Sequence, residues 1–163
     1  MADGVFEATI RQFFTKHELG APRFDQTGIV RLQIGDLAVN LSSDGHRGVI
    51  VQGRIGLLSR ERSRRAAQLR DVLRSNTGLL LVNAAGTFIS SGPGAGTESL
   101  MARALHRADG PPGGASLDEA IEDVLALMSH HAPILERWDG PAAGEALRRG
   151  SAPEPEEAII FRL

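Results

Sequence analysis

"IVRLQIGDLAVNLSSDGHRGVIVQGRIG" (Ile29–Gly56) alternates apolar and polar residues with a period of two. Val30, Leu32 and Ile34 are separated by Arg31 and Gln33; Leu37, Val39 and Leu41 are separated by Ala38 and Asn40. Such alternation marks strands with one face buried and one wet. Between the two runs sits Gly35-Asp36, a Gly-X pair suited to a type II′ hairpin turn. "SSDG" (Ser42–Gly45) supplies the next turn, and Val49, Val51 and Ile55 continue the pattern. The spacing predicts a three-stranded antiparallel meander over residues 29–56.

On the N-terminal side the period changes to that of a helix. Phe6, Ile10, Phe13, Phe14 and His17 fall on one stripe of residues 4–18, with Asp3 as N-cap and Gly20 and Pro22 as stop signals. On the C-terminal side a second helix is expected from Ser59. Ala66, Leu69, Val72 and Leu73 form its stripe, and Arg60, Arg62, Arg64 and Arg65 crowd its start. Cations there oppose the helix dipole by a few tenths of a kcal/mol each, so helix propensity does not explain them. The pattern fades near Asn76–Gly78, and "LLLV" (Leu79–Val82) fits a helix end or a strand. Gly86–Ser90 and Glu98–His106 read as two more strands, joined by a glycine-rich stretch. "DGPPGGAS" (Asp109–Ser116) reads as a loop. Ser116 and Glu119 then form an S-x-x-E capping box for a third helix. Its buried stripe is Leu117, Ile121, Val124, Leu125 and Met128, and Pro133 is expected to kink or end it. Past Trp138 the composition shifts to Gly, Pro, Ala and Glu. The expected organisation is a single domain over residues 1–138, then a mobile tail over 139–163 whose last apolar residues could dock. The order helix, three strands, helix, two strands, helix is that of an α+β fold.

Composition narrows the function. A chain of 163 residues with 42% hydrophobic content can bury about 70% of its unfolded surface in one domain. The net charge is −2, so no global basic field recruits nucleic acid. Cysteine is absent, which excludes disulfides, thiolate nucleophiles and cysteine-held metal clusters. No apolar run nears the roughly 20 residues of a membrane span, and no basic-then-apolar signal pattern opens the chain. A cytoplasmic protein without a membrane partner is expected.

Several motifs could carry chemistry, and each fails on spacing. "FISSGPGAGTESL" (Phe88–Leu100) has the look of a phosphate loop. A Walker loop needs G-x-x-x-x-G-K-[ST], yet Gly96 is followed by Thr97, and the only lysine is Lys16. A dinucleotide fingerprint needs G-x-G-x-x-G before a helix; Gly92, Gly94 and Gly96 give G-x-G-x-G before a strand. A hairpin loop explains these glycines better than a cofactor does. His130 and His131 are adjacent, so on a helix they point about 100° apart, whereas two ligands on one face need i, i+3 or i+4 spacing. They read as a polar helix end, with no metal implied. No G-x-S-x-G elbow occurs. Asp118 and Glu119 are accounted for by the capping box, and Glu122 and Asp123 by a solvated face. The reading is therefore of a protein that is not an enzyme and needs no cofactor. The run Arg60–Arg65 leaves an alternative, a nucleic-acid-associated regulator, disfavoured by the acidic balance and the lack of interleaved aromatics.

What the sequence does offer is apolar surface in excess. Three phenylalanines lie on the first helix, and a thin sheet with three helices has little to cover them. The run Gly20–Ser59 resembles the type III secretion chaperones of the Tir-chaperone (CesT/SycE-like) family. That family has a first helix, then "D-x-x-G-x-x-x-L-x-I", a hairpin, "V-x-L", a third strand and "L-G-x-L-P". Here these are Asp25, Gly28, Leu32 and Ile34, then Val39 and Leu41, then Ile55-Gly56-Leu57-Leu58. "VLRSN" (Val72–Asn76) is similar to the family's "L-L-x-A-N", "AGTFISS" (Ala85–Ser91) to its "G-A-x-F-x-L-D", and "ERW" (Glu136–Trp138) to its closing "x-x-W". The resemblance covers about residues 4–138. Departures are Ser59 in place of the proline, a longer glycine-rich loop, Pro133 and the added tail.

The resemblance implies a bacterial cytoplasmic homodimer that catalyses nothing. It would bind the N-terminal chaperone-binding segment of a secreted effector in extended form and present it for export, with the export ATPase as a further candidate partner. The implied effector-binding set is Phe6, Ile10, Phe13, Phe14, Val30, Leu32, Val39 and Leu41, part of which must also fill the core. The implied dimer interface is Leu69, Val72, Leu73, Phe88 and Ile89.

Overall fold

The structure, a computed structural model, describes residues 2–79, 84–91, 98–108 and 116–138. Among them the chain runs α1 (Ala2–Lys16), β1 (Val30–Ile34), β2 (Leu37–Ser43), β3 (Gly48–Leu57), α2 (Arg62–Leu79), β4 (Gly86–Ser91), β5 (Glu98–Arg107) and α3 (Leu117–Glu136). The expected tail 139–163, the glycine cluster 92–97 and most of the loop 109–116 lie outside the described residues, as do positions 80–82 of the ambiguous "LLLV". Its first residue, Leu79, is helical.

The meander expected over 29–56 is present, and it does not stand alone. All five strands form one antiparallel sheet in the order β1-β2-β3-β5-β4, because β5 pairs along β3. Ile34 pairs Leu37 across a two-residue turn in which Gly35 has φ +58°, while Asp36 keeps a negative φ; this is the II′ pattern. Asp44 closes the β2–β3 turn: its Oδ1 accepts from the backbone N–H of His46 (2.7 Å), Arg47 (3.1 Å) and Gly48 (2.7 Å). Asp25 organises the approach to β1 in the same way. Its Oδ1 accepts from Thr27 N–H (2.8 Å), Thr27 Oγ1 (2.7 Å) and Ile29 N–H (2.9 Å), with Gly28 at φ +77°. Hence the D-x-x-G spacing: a carboxylate that ties the loop, and a glycine where φ must be positive. These bonds favour the charged form, so both carboxyls are held below the usual range, Asp25 chiefly by Ile29 and Asp44 chiefly by His46.

All three helices lie on one face of the sheet. Phe6, Ile10 and Phe14 of α1 are buried, as are Leu117, Ala120, Ile121, Val124, Leu127, Met128 and Leu135 of α3. They meet the inward strand residues Val30, Leu32, Val39, Leu41, Val49, Val51, Leu100, Ala102 and Ala104. The inward position at 53 is a glycine. A Cβ there would stand 2.1 Å from Met128 Sδ, and one on Gly56 would stand 2.8 Å from Leu135 Cδ1. Bare backbone at these points lets α3 sit close against β3.

Four local expectations are corrected. Helix α1 starts at Ala2, so Asp3 lies inside it rather than capping it. It stops before Gly20: Glu18 takes φ +54°, Glu18 N–H bonds Thr15 O (3.3 Å), and Leu19 N–H bonds Phe14 O (2.9 Å). This is a Schellman stop with glutamate at the left-handed position. In α2 the inward stripe is Gln68 and Val72, while Ala66 and Leu73 are exposed. Gln68 is fully buried: its Oε1 accepts from Ser59 N–H at 2.8 Å, fastening the loop before the helix, while its buried Nε2 finds no hydrogen-bond partner among the described residues. Finally, α3 runs through Pro133 to Glu136. The proline sits exposed in the last turn and its carbonyl still accepts from Arg137 N–H (3.2 Å), while Leu135 anchors that turn over Gly56.

Candidate partner-binding surface

Three hollows flank α1. A cavity of about 340 Å³ lies between the end of α1, the end of β1 and the start of α3, lined by Phe13, His17, Leu19, Ile34, Ile121 and Leu125, among others. The Schellman stop places Leu19 at its lip, 50% exposed, opposite Ile34 at 41%. Thr9, Gln12, His106 and Leu117 line a smaller hollow of about 200 Å³ on the other side of Phe13. A third, of about 550 Å³, runs between Phe6, Phe24 and the Asp25 loop. Strand β1 is the sheet edge beside the first hollow; β2 pairs its inner side, and among the described residues only Phe24 bridges to its outer side, at Val30.

The rim is ionic. Lys16 Nζ donates to Asp118 Oδ2 (2.9 Å) and His17 Nε2 meets Asp118 Oδ1, joining α1 to the first turn of α3. Partial burial pushes the Asp118 carboxyl up, but the bonds and charges of Lys16 and His17 outweigh it and leave it below the usual range. The capping box is made in full: Ser116 Oγ accepts from Glu119 N–H (3.2 Å) and Glu119 Oε2 accepts from Ser116 N–H (2.6 Å).

Of the eight residues that the resemblance assigned to effector binding, Phe6, Ile10, Phe14, Val30, Leu32, Val39 and Leu41 are packed in the core of the subunit. Phe13 alone of the set presents surface, half-buried, its ring 4.6 Å from that of His17. Sequence reasoning missed Leu19, Ile34 and Leu125 as surface. The signals were slight: the residue just past a helix stop, the last residue of a strand, and the flank of a helical stripe.

The second predicted set is spread over two places. Leu73 is 66% and Ile89 46% exposed, Leu69 is half-buried beside them on α2, and Val72 is buried at 2%. Phe88 pairs with Met101 on the helix-free side of the sheet, whereas Ile89 pairs with Leu100 on the helix side. The arginine run is partly neutralised: Arg64 pairs with Glu61 (3.0 Å) and Arg65 with Glu98.

His131 is no polar helix end. It is fully buried, with Nδ1 facing Ser75 Oγ (3.1 Å) and Nε2 facing Asn76 Oδ1 (2.8 Å). Asn76 Nδ2 donates in turn to Thr87 Oγ1 (2.9 Å), so one neutral imidazole ties α3 to α2 and β4. Both ring nitrogens are occupied, whereas His130 is exposed. Burial first, and the neighbouring His130 second, hold the His131 pKa down at about 4.

No family model matches the chain, and no curated protein matches it in sequence. Its likeness is to solved structures. A chain of the HopA1-SchA chaperone-effector complex superposes with a TM-score of 0.55 at 20% identity, over 82% of this chain and 97% of that one. The Yersinia pestis type III secretion chaperone SycH, solved with a stable fragment of YscM2, gives 0.51 at 17% identity, over 80% of this chain and 98% of the other. The chain has the α+β fold of the type III secretion chaperones. Among the described residues no helix is long and apolar enough to cross a membrane.

Proposed function

We propose that this protein is a non-catalytic secretion chaperone, acting as a homodimer in the bacterial cytoplasm. It holds the N-terminal segment of a secreted effector in extended form for delivery to the export machinery, whose ATPase is a candidate further partner. The observation that carries the reading is the apolar hollow of Phe13, Leu19, Ile34 and Leu125 beside the open edge of β1. An extended chain can add a strand to such an edge and lodge alternate side chains in the hollow. The buried set from Phe6 to Leu41 serves as the platform beneath, with Phe13 as its exposed part. Ordering a client segment costs about 2–5 kcal/mol, so several apolar side chains must be buried along α1, at about 25 cal/mol per Å². The fold of SycH and of the HopA1-SchA complex chain, both solved with partners, supports the same reading. Leu69, Leu73 and Ile89 on α2 and β4 form the proposed two-fold contact, with Val72 behind them; Phe88 is turned away from it. The chaperone domain is taken as residues 1–138.

Affinity purification from the native bacterium tests this. A secreted protein should co-purify with the wild type and be lost from Phe13→Asp or Ile34→Asp variants that remain folded. Recovery of no secreted protein, with no effector destabilised on deletion of the gene, would refute it.

A further inference from the structure

The five strands turn their other face away from every helix described. Strand alternation puts Arg31 and Gln33, Asn40 and Ser42, Ile50, Gln52 and Arg54, Met101, Arg103, Leu105 and Arg107, and Phe88 on that side. Four of these are arginines, all exposed, and none is acidic. For a chain of net charge −2 this is a marked local excess of positive charge. Leu57 lies exposed on the same side, opposite Ser99, and the register sets two apolar pairs, Ile50 opposite Leu105 and Phe88 opposite Met101. Between them runs a polar row through Gln52 and Arg103, the latter with its guanidinium 5.8 Å from the Phe88 ring centre. Arg54 flanks one apolar pair, opposite Met101, and Arg107 lies beyond the other. Among the described residues none of the four arginines is in an ion pair; Arg31 donates to Asn40 Oδ1 at 3.4 Å, and its charge also helps hold down the pKa of Asp25 at the β1 end of the rim. Asp44 stands at the rim near Arg107, its Oδ1 already taken by three backbone N–H groups.

We infer that this helix-free face docks an acidic protein segment bearing two aliphatic or aromatic side chains about 13 Å apart, the span of residues 101 to 105 along a strand. Carboxylates meet Arg54, Arg103 and Arg107, and the two side chains cover the apolar pairs. Guanidinium groups favour planar carboxylate partners and are weakly hydrated, which suits a half-apolar surface. Single-stranded nucleic acid fits less well. Base recognition on a sheet needs aromatic platforms, and this face offers one phenylalanine, already covered by Arg103. Apart from Ser42, which also borders the third hollow, the surface is separate from the hollows along α1, and a two-fold contact along α2 and the β4 edge leaves it open.

The probe is a fluorescent nonapeptide, Glu-Glu-Leu-Glu-Glu-Glu-Leu-Glu-Glu, titrated by anisotropy against the full chain, with its all-glutamine counterpart and an oligothymidylate as comparisons. Binding at about 0.1 mM or tighter is expected, weakened by salt and at least tenfold by Arg54→Glu with Arg103→Glu. Arg60→Glu with Arg62→Glu, which removes charge elsewhere, should change it less than twofold. Leu105→Asp provides an independent variant should the arginine pair perturb folding, which circular dichroism reports. Weaker binding overturns the proposal, as does equal loss in both arginine variants or tighter binding of the oligothymidylate. So does binding that appears only after Glu154, Glu156 and Glu157 are changed to Gln, which would assign the face to the chain's own acidic stretch. Effector co-purification should survive Arg54→Glu with Arg103→Glu, so failure here is distinct from failure of the chaperone reading.

Discussion

Replacing Gly53 by alanine adds one methyl group where the structure has no room for it. The new Cβ would lie 2.1 Å from Met128 Sδ and 3.0 Å from Met128 Cε. Ordinary contacts need about 3.5–4.0 Å, so the thioether must retreat by about 1.5 Å. Met128 is 3% exposed and packed in the core, so that retreat displaces neighbours or lifts α3 from β3. Overpacking of this kind costs about 1–3 kcal/mol. Alanine returns about 0.4–1 kcal/mol by restricting the unfolded chain, and Gly53 has no positive φ to forbid the substitution. The net expectation is a loss of about 1–2 kcal/mol, a fall in Tm of about 2–4 °C for each kcal/mol at this size. Urea denaturation followed by circular dichroism measures it. Met128→Ala alone should cost about 2–5 kcal/mol, but the added methyl partly fills the space it vacates. The double variant should therefore be more stable than the sum of the singles by about 1 kcal/mol. A neutral Gly53→Ala, or a strictly additive pair, would show that glycine is not there for the close approach of α3.

The remaining expectations are more local. The folded protein binds a proton at His131 more weakly (pKa about 4) than the unfolded chain (6.5). Stability should thus be full above about pH 6.5 and decline towards pH 4, by up to about 1.4 kcal/mol per pH unit; His131→Gln should flatten that slope in denaturation curves. Asp25 and Asp44 act in the acid range, since their lowered pKa values confer stability that is present above about pH 4 and lost as pH falls through the folded values. Asp25→Ala should remove part of that acid dependence. Glu18→Gly should raise stability by about 0.5–1 kcal/mol, because glycine occupies φ +54° without strain. Leu73→Arg with Ile89→Arg should convert the proposed dimer to monomer in sedimentation equilibrium without changing the circular dichroism spectrum.

Much of the molecule follows from local pattern. Alternation over Ile29–Gly56 determined three strands and their turns, because a period of two with Gly35 at the turn permits one register. The S-x-x-E box determined where α3 begins, because Ser116 and Glu119 satisfy each other's backbone. Asp25 and Gly28 determined the loop between α1 and β1. Only the tertiary structure decided that β5 pairs with β3 to make one sheet, since pairing partners distant in the chain leave no local periodicity. It alone decided that Gln68 points inward, because its partner, Ser59 N–H, belongs to another segment. It also placed Phe6, Ile10 and Phe14 in the core and left Phe13 beside the Leu19–Ile34 hollow. All four phenylalanine and isoleucine side chains lie on one helical stripe, and which of them stays at the surface depends on how far α3 and the sheet extend over it.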